Sequence, residues 1–376
     1  MNTRTTSLLL MIQSACLAAE AQADGFPALA RIAPGFGYYG VDYGFDDTLK
    51  VYGTVDAFAS YHDSQQHAGF RLAGGGAWTN KLGLYARKGL SADSALELVA
   101  EEGFNLNGQA LEGSWDTVGS LRLAAVALRS KSLGKLEFGK TYSMGTPTYA
   151  DPFLATYGSP YTYLALPAAG KGAYYLDLRP KHTLAYTTPN LNGFSLGTAV
   201  SLGFDDAASQ GRTLRGGGAR LQYRNERVML LGSYNLYYSD PWDDAGNTRQ
   251  TANRYKSLSA FYDFGPLATS LTWQRQDVDQ AGSPSTTLIT AGAMVPVGER
   301  DVLRLAIMQR QVTAKDQDAF AAMVGYDHFV TPRWAVYGRV GLIANQPASA
   351  VTYAGTPLEQ PGDDPVNVAL GMYYHF

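Results

Sequence analysis

From residue 49 to the last residue, apolar and polar positions alternate with a period of two, in short segments separated by turn-forming residues. The last segment is the clearest. Val366, Val368, Leu370, Met372, Tyr374 and Phe376 share one face, and Asn367, Ala369, Gly371, Tyr373 and His375 share the other. The same alternation recurs in Leu49-Val51-Gly53-Val55, Leu82-Leu84-Ala86, Leu96-Leu98-Ala100, Phe194-Leu196-Thr198-Val200-Leu202, Leu258-Ala260-Tyr262-Phe264 and Trp334-Val336-Gly338-Val340-Leu342. Read this way, the chain contains sixteen strands: 49–61, 79–88, 94–103, 120–129, 135–142, 181–188, 194–203, 217–226, 227–238, 255–264, 266–276, 285–295, 302–312, 318–328, 333–344 and 366–376. The twelfth has ambiguous phase.

The polar faces carry charge. Lys81, Arg87, Arg122, Arg220, Arg224, Arg304, Arg310, Arg333 and Arg339 fall on them, with Asp56, Glu97, Glu101, Glu137 and Asp263. Charges at alternate strand positions need water, while the opposite face, apolar throughout, needs lipid or a core. One closed sheet with lipid outside and a wet lumen inside meets both demands and leaves no edge. The prediction is therefore an all-β, 16-stranded antiparallel transmembrane β-barrel. Strands of this length cross a bilayer when tilted. Connections alternate between short turns such as 188–190 and 265–266 and long loops such as 240–253, 345–365 and 143–180. An even strand number places both termini on one side.

Composition agrees with this. No run of eighteen apolar residues exists, which excludes a helical membrane span. The 25 tyrosines and 41 glycines suit interfacial aromatics and tight turns. A net charge of −3 gives no reason to expect nucleic acid as a partner. The first 23 residues read as a secretory signal, with Arg4, an apolar stretch from Leu8 to Ala19, and cleavage after Ala21-Gln22-Ala23. The single cysteine, Cys16, lies inside it, so no disulfide is expected. Residues 24–48 form an N-terminal extension of unassigned role, and 49–376 the barrel.

Several segments then resemble the Gram-negative general-diffusion porins, above all those of β-proteobacteria. They are Leu49-Lys50-Val51-Tyr52-Gly53-Thr54-Val55-Asp56, Lys81-Leu82-Gly83-Leu84, Glu101-Glu102-Gly103-Phe104-Asn105, Leu136-Glu137-Phe138-Gly139-Lys140 and Tyr186-Thr187-Thr188-Pro189-Asn190. The resemblance implies a trimeric outer-membrane channel passing small hydrophilic solutes and ions, without catalysis and without a cofactor. It implies an inward-folded constriction loop after the fifth strand, at about 143–180. By position, Lys81, Arg122 and Arg179 match the basic wall of the constriction and Asp151 the acidic stretch of the loop. Phe376 matches the signal read by the barrel-assembly machinery, and lipid and lipopolysaccharide are the expected surroundings. The loop is poor in acid and rich in tyrosine, including Tyr149, Tyr157 and Tyr161. Those rings suit a stacking track in a sugar- or organic-acid-specific channel, or packing within a folded loop, which is the commoner use of tyrosine.

Lumen cations outnumber lumen acids in the phase count, so weak anion preference is expected. The small outward residues Gly53, Val55, Ala57 and Ala59, continued by Ala125 and Ala127, fit a contact between barrels. Other motifs carry less. Gly35-Phe36-Gly37-Tyr38-Tyr39-Gly40 matches a dinucleotide fingerprint but follows Pro34 rather than a strand. His62, Asp63 and His67 are too sparse for a metal site, and none is expected.

Overall fold

The structure is a computed structural model. It describes residues 44–64, 68–104, 121–145, 151–154, 179–202, 215–239, 251–279, 282–353 and 360–376, together with Leu106, Thr156, Ser159, Pro160 and Leu164. The signal segment and most of the extension lie outside these, as do Tyr149, Tyr157 and Tyr161.

Seventeen strands are described: β1 (Thr48–Asp63), β2 (Ala68–Gly74), β3 (Lys81–Gly89), β4 (Ser94–Gly103), β5 (Leu121–Ser130), β6 (Gly134–Lys140), β7 (Thr183–Thr187), β8 (Phe194–Ser201) and β9 (Arg215–Arg224), then β10 (Val228–Ser239), β11 (Thr251–Asp263), β12 (Ala268–Asp279), β13 (Thr286–Val297), β14 (Asp301–Val312), β15 (Ala319–Thr331), β16 (Trp334–Asn345) and β17 (Val366–His375). Sequential neighbours from β3 onward pair antiparallel. β1 closes the ring on β17, from Thr54 opposite His375 to Asp63 opposite Val366. The result is a closed antiparallel barrel.

The extra strand does not enlarge the barrel. β1 pairs through its second half with β2, from Ala57 opposite Gly74, and through its first half with β3, from Thr48 opposite Arg87 to Thr54 opposite Lys81. β2 and β3 therefore share one position in a sixteen-strand wall, broken by residues 75–80. The alternation of Phe70 and Leu72, both strongly exposed, with Gly69, Arg71 and Ala73 marks β2 as a strand. Its seven residues run into Gly74-Gly75-Gly76, which the sequence reading takes as loop.

The apolar face of nearly every segment points outward. Leu49, Val51, Leu82, Leu98, Leu196, Leu221, Leu258, Leu271, Ile307, Val340 and Leu370 are all exposed on the outer wall. Such a continuous apolar surface is stable only against lipid. Aromatic rings flank it: Phe194 against Tyr223, Tyr262 against Phe264, and Tyr374 against Phe376 near the end that carries the C-terminus, and Tyr61 against Phe70 at the other.

Two parity readings change. At the rim of β5, Leu121 faces Glu102 and Leu123 faces Glu101, so Arg122 is an extra, bulged residue. A bulge reverses the phase of everything beyond it. Arg122 and Leu123 both turn inward, and Ala125 and Ala127, expected on the outer face, are buried inside. In β13, the strand of ambiguous phase, Leu288 and Met294 point inward and are buried there. The inner wall at this place is itself apolar, so no alternation survives.

Barrel closure depends on the last residue. Gly53 and Phe376 exchange backbone hydrogen bonds of 3.1 and 3.2 Å, and the Phe376 ring lies where a Cβ on Gly53 would stand. Gly53 is thus covered by Phe376 rather than open to a neighbour. Gly53→Leu is expected to push the ring off the seam and lower the yield of folded barrel, read as loss of the heat-modifiable band on gels. Gly338→Leu, where an added Cβ meets only the far end of Leu370 at 3.4 Å, is the tolerant control.

At the end that carries Phe376, Asp93 in the turn after β3 accepts hydrogen bonds from the hydroxyls of Ser130 (2.8 Å) and Ser132 (3.0 Å). These hold its carboxyl below the usual range, with Ser130 the larger cause and Ser132 the next. A depressed carboxyl stabilises the folded form above its unfolded pKa and ceases to do so as pH falls through the folded one. The protection factors of the amides in 131–133, taken against the intrinsic exchange rate at each pH, are therefore expected to fall at acid pH, and Asp93→Asn to remove that dependence.

Candidate constriction site

Glu101 organises one side of the lumen. It sits on β4, opposite Gly83 of β3 and Leu123 of β5, and its side chain is fully buried. The bulge at Arg122 aims that guanidinium across the pair, and its Nε lies 2.7 Å from Glu101 Oε1. Lys81 Nζ lies 3.4 Å from Oε2, and the Tyr52 hydroxyl donates to Oε2 at 3.0 Å. Tyr142 packs beside Tyr52, Tyr85 and Leu123 at this place on the wall. Arg179 stacks over the Tyr142 ring at 5.2 Å. Lys81 and Arg122, far apart in sequence, thus meet on one acid, with Arg179 over a ring beside them, and Lys81 keeps 15% of its side chain exposed.

The other acids and bases read from the sequence have more local partners. Glu97 accepts from the Tyr85 hydroxyl at 2.9 Å and pairs with Arg129 at 2.7 Å. Glu137 pairs with Lys135 at 2.8 Å. Arg87 is spent on the end of the extension, donating to the Asp46 carbonyl (2.7 Å) and the Thr48 hydroxyl (2.9 Å). Beside it, Phe45 lies under Arg129 and Lys131. Arg333 stands exposed in the turn before β16, not on the lumen wall.

A second charged group lies on the far wall. Arg304 of β14 and Arg339 of β16 both bind Asp327 of β15, the first at 2.5 Å, and all three are at most 4% exposed. Arg304 also donates to the Pro152 carbonyl at 2.9 Å, and Arg339 lies over the Phe153 ring at 5.4 Å. The described residues of the long loop after β6 therefore reach the inner wall on the opposite side. Phe153 and Leu164 join an interior cluster with Leu288, Ala306, Met323 and Ile343, which explains the apolar patch on the inner face there. Asp327 is absent from the charges read off the sequence. Its signal was available: it continues the inward phase of Met323 and Gly325, between two strands that each present an arginine.

Asp151 departs from its expected place. Its side chain has no exposure; it accepts from the Phe153 amide at 3.1 Å and from the Ser159 hydroxyl. The carboxylate builds the loop's own turn and offers no surface to the water of the lumen. Among the described residues, no group of three or more His, Cys, Asp or Glu could hold a metal ion.

A closed barrel with a lipid-facing exterior and a charged interior, and with residues 151–154 seated against its inner wall, has the architecture of a transmembrane diffusion channel. A family model described as Gram-negative porin matches residues 5–347, and the chain belongs to that family. It is 26% identical over 353 residues to outer membrane porin protein 32 of Delftia acidovorans, covering 88% of this chain and 94% of the relative. It is 26% identical over 262 residues to an outer membrane porin protein of Bordetella pertussis, covering 61% and 64%. Among solved structures it is similar to the anion-selective porin from Comamonas acidovorans, with a TM-score of 0.73, 24% identity, and 88% and 100% of the two chains covered. The trimer form of OmpT from Vibrio cholerae aligns with a TM-score of 0.63 at 14% identity, covering 88% and 100%. The protein is an outer-membrane porin that lets small solutes cross by passive diffusion.

Proposed function

We propose that the channel prefers anions and that the cluster of Lys81, Arg122 and Arg179 around Glu101 sets this preference. The observation that carries it is the stoichiometry at one place in the lumen: Lys81 and Arg122 share the single carboxylate of Glu101, and Arg179 stands beside them over Tyr142. Anions are concentrated at such a site and cations repelled, within a screening length of roughly 8–10 Å at ordinary salt. The far-wall arginines, by contrast, share Asp327 in a buried group, so the simple count of lumen charges overstates the bias. The Comamonas porin is described as anion-selective, which agrees in direction. The reversal potential of purified protein in a planar bilayer under a KCl gradient tests the reading: it should report anion preference, and a clear cation preference would end it.

A homotrimer is supported by the small outward Ala57 and Ala59 on β1, now without Gly53, Ala125 and Ala127, and by the trimer form of the OmpT relative. The exposed terminal ring of Phe376 suits recognition by assembly machinery. The described end of the extension is read as periplasmic, supported by the contacts of Phe45, Asp46 and Asp47 with Arg129, Arg87 and Lys88 at the barrel rim.

A further inference from the structure

The outer wall of β9–β12 is built differently from that of β16 and β17. On β16 and β17 the outward positions from Trp334 to Leu342 and from Val366 to Phe376 carry no charge. On β11 the outward run Tyr262, Ala260, Leu258 ends at Lys256 and Arg254. On β12 the outward run Leu271, Trp273 ends at Arg275, Asp277 and Asp279. The register sets these charges side by side, Lys256 opposite Arg275 and Arg254 opposite Asp277. Arg254 lies 3.3 Å from Asp279, while Arg275 and Lys256 lie 3.0 and 3.9 Å from Asp277. The three cations keep 41%, 40% and 47% of their side chains exposed. Two carboxylates therefore leave both positive charge and hydrogen-bond donors over. A charge on the lipid face costs more the deeper it lies, so this row is stable where an anionic head group comes down to meet it.

Beside the row, toward the Phe376 end, lies an apolar groove of about 550 Å³. Its small residues are Gly232 and Ala260, and Leu221, Leu230, Leu258 and Leu271 stand around them with exposed side chains. Gly232 lies between Leu221 of β9 and Leu258 of β11. A Cβ there would meet only Leu258, at 3.4 Å, so the packing of the wall does not require a glycine. The space it leaves open is on the lipid side. Phe194 and Tyr223, their rings 4.8 Å apart, mark the end of the groove nearer Phe376. Trp273, one outward position from Arg275, marks the end nearer the charges. From Lys256 to Tyr262 the strand runs roughly 20 Å, room enough for an acyl chain.

We propose that this groove and the row of Arg254, Lys256 and Arg275 bind one lipopolysaccharide molecule, with an acyl chain against Gly232 and the phosphates of its glucosamine base at the cations. The row lies toward the end opposite Phe376, where the long connections leave the barrel, and in such barrels that end faces the cell exterior. The leaflet there is built of lipopolysaccharide. Three cations spread over two strands suit a head group with more than one anionic group better than a single phosphodiester. The site is on the opposite face of the wall from the solute path, so it adds a lipid-binding role to the passage of solutes.

The test titrates purified barrel, refolded free of lipid in detergent, with rough-type lipopolysaccharide and, separately, with phosphatidylglycerol, reading stoichiometry and Kd by native mass spectrometry. Wild type should bind one lipopolysaccharide saturably and more tightly than phosphatidylglycerol. The double change Lys256→Gln, Arg275→Gln should weaken binding by about tenfold, as expected for two exposed charge contacts. Gly232→Leu fills the groove, leaves every charge in place, and should weaken binding as well. Single-channel conductance like that of wild type shows that a variant has folded. A Kd unchanged in either folded variant would overturn the proposal, and so would phosphatidylglycerol binding as tightly as lipopolysaccharide. Trimers that dissociate in Gly232→Leu while lipopolysaccharide binding stays unchanged would give the groove to a neighbouring barrel and overturn it too.

Discussion

Replacing Lys81 by Glu is expected to cost the channel most of its anion preference. Lys81 lies 3.4 Å from Glu101 and retains 15% exposure, so it is the cation of this cluster that both feels the buried acid and meets passing ions. The change removes one positive charge and adds a negative one beside an existing carboxylate. At an effective dielectric near 20 and a few ångströms, the anion-to-cation permeability ratio should fall by a factor on the order of ten, equivalent to about 1.4 kcal/mol. Reversal potentials measured at low and high salt check it. The change should shrink at high salt because the site is open to water. Lys81→Gln, which removes charge without reversing it, should give an intermediate value. A permeability ratio unmoved by both variants would place the selectivity elsewhere.

Asp327→Ala is expected to have the largest effect on stability. Arg304 and Arg339 are 2% and 4% exposed, and Asp327 is the carboxylate on which both converge. Removing one partner from a buried ionic group leaves the others uncompensated, typically at about 3–5 kcal/mol. Arg304 also holds the Pro152 carbonyl, and Arg339 lies over Phe153, so the loop should lose its anchor on the far wall as well. Two readouts follow: a lower urea midpoint for unfolding in detergent, and noisier open-channel current. The triple change Asp327→Leu, Arg304→Met, Arg339→Met should recover much of the stability, since replacing a whole buried ionic group by apolar residues of similar volume is often neutral or better. It should not restore the loop anchor. A single Asp327→Ala variant as stable as wild type would show that the two guanidinium groups are not held in the way described.

Much of the barrel was legible because its two environments differ so strongly. Leu196, Leu258, Val340 and Leu370 face lipid while Asn367, Tyr373, Arg304 and Arg339 face inward, and the period of two records the difference directly. The reading failed where that contrast fades. β13 lost its phase because Leu288 and Met294 pack inward against interior apolar residues, including Phe153 for Leu288. β5 reversed phase because one bulged residue at Arg122 cannot be seen in a pattern that assumes strict alternation. β2 was passed over because three consecutive glycines close it and run on past its end.

The site was legible in part for a similar reason. Lys81, Arg122 and Arg179 were named by position in a family resemblance; the fold sets the first two on Glu101 and the third over Tyr142. The acid that Lys81 and Arg122 share, the hydrogen bonds that Asp56 accepts from the amides of Gly76, Ala77 and Trp78, and the use of Asp151 within its own turn were not legible. Each depends on which side chain reaches which partner across the lumen.

Alternation along the chain alone determined that this protein is a transmembrane barrel and which residues of most strands meet lipid, because a strand's facing depends only on local parity. The tertiary structure decided that the wall has sixteen positions from seventeen strands, that residues 75–80 leave it, and that the lumen's charges divide into a mixed cluster at Glu101 and a buried group at Asp327. Those features arise from register, bulges and contacts between residues as distant as Asp56 and Tyr337, 281 positions apart, which no local pattern encodes.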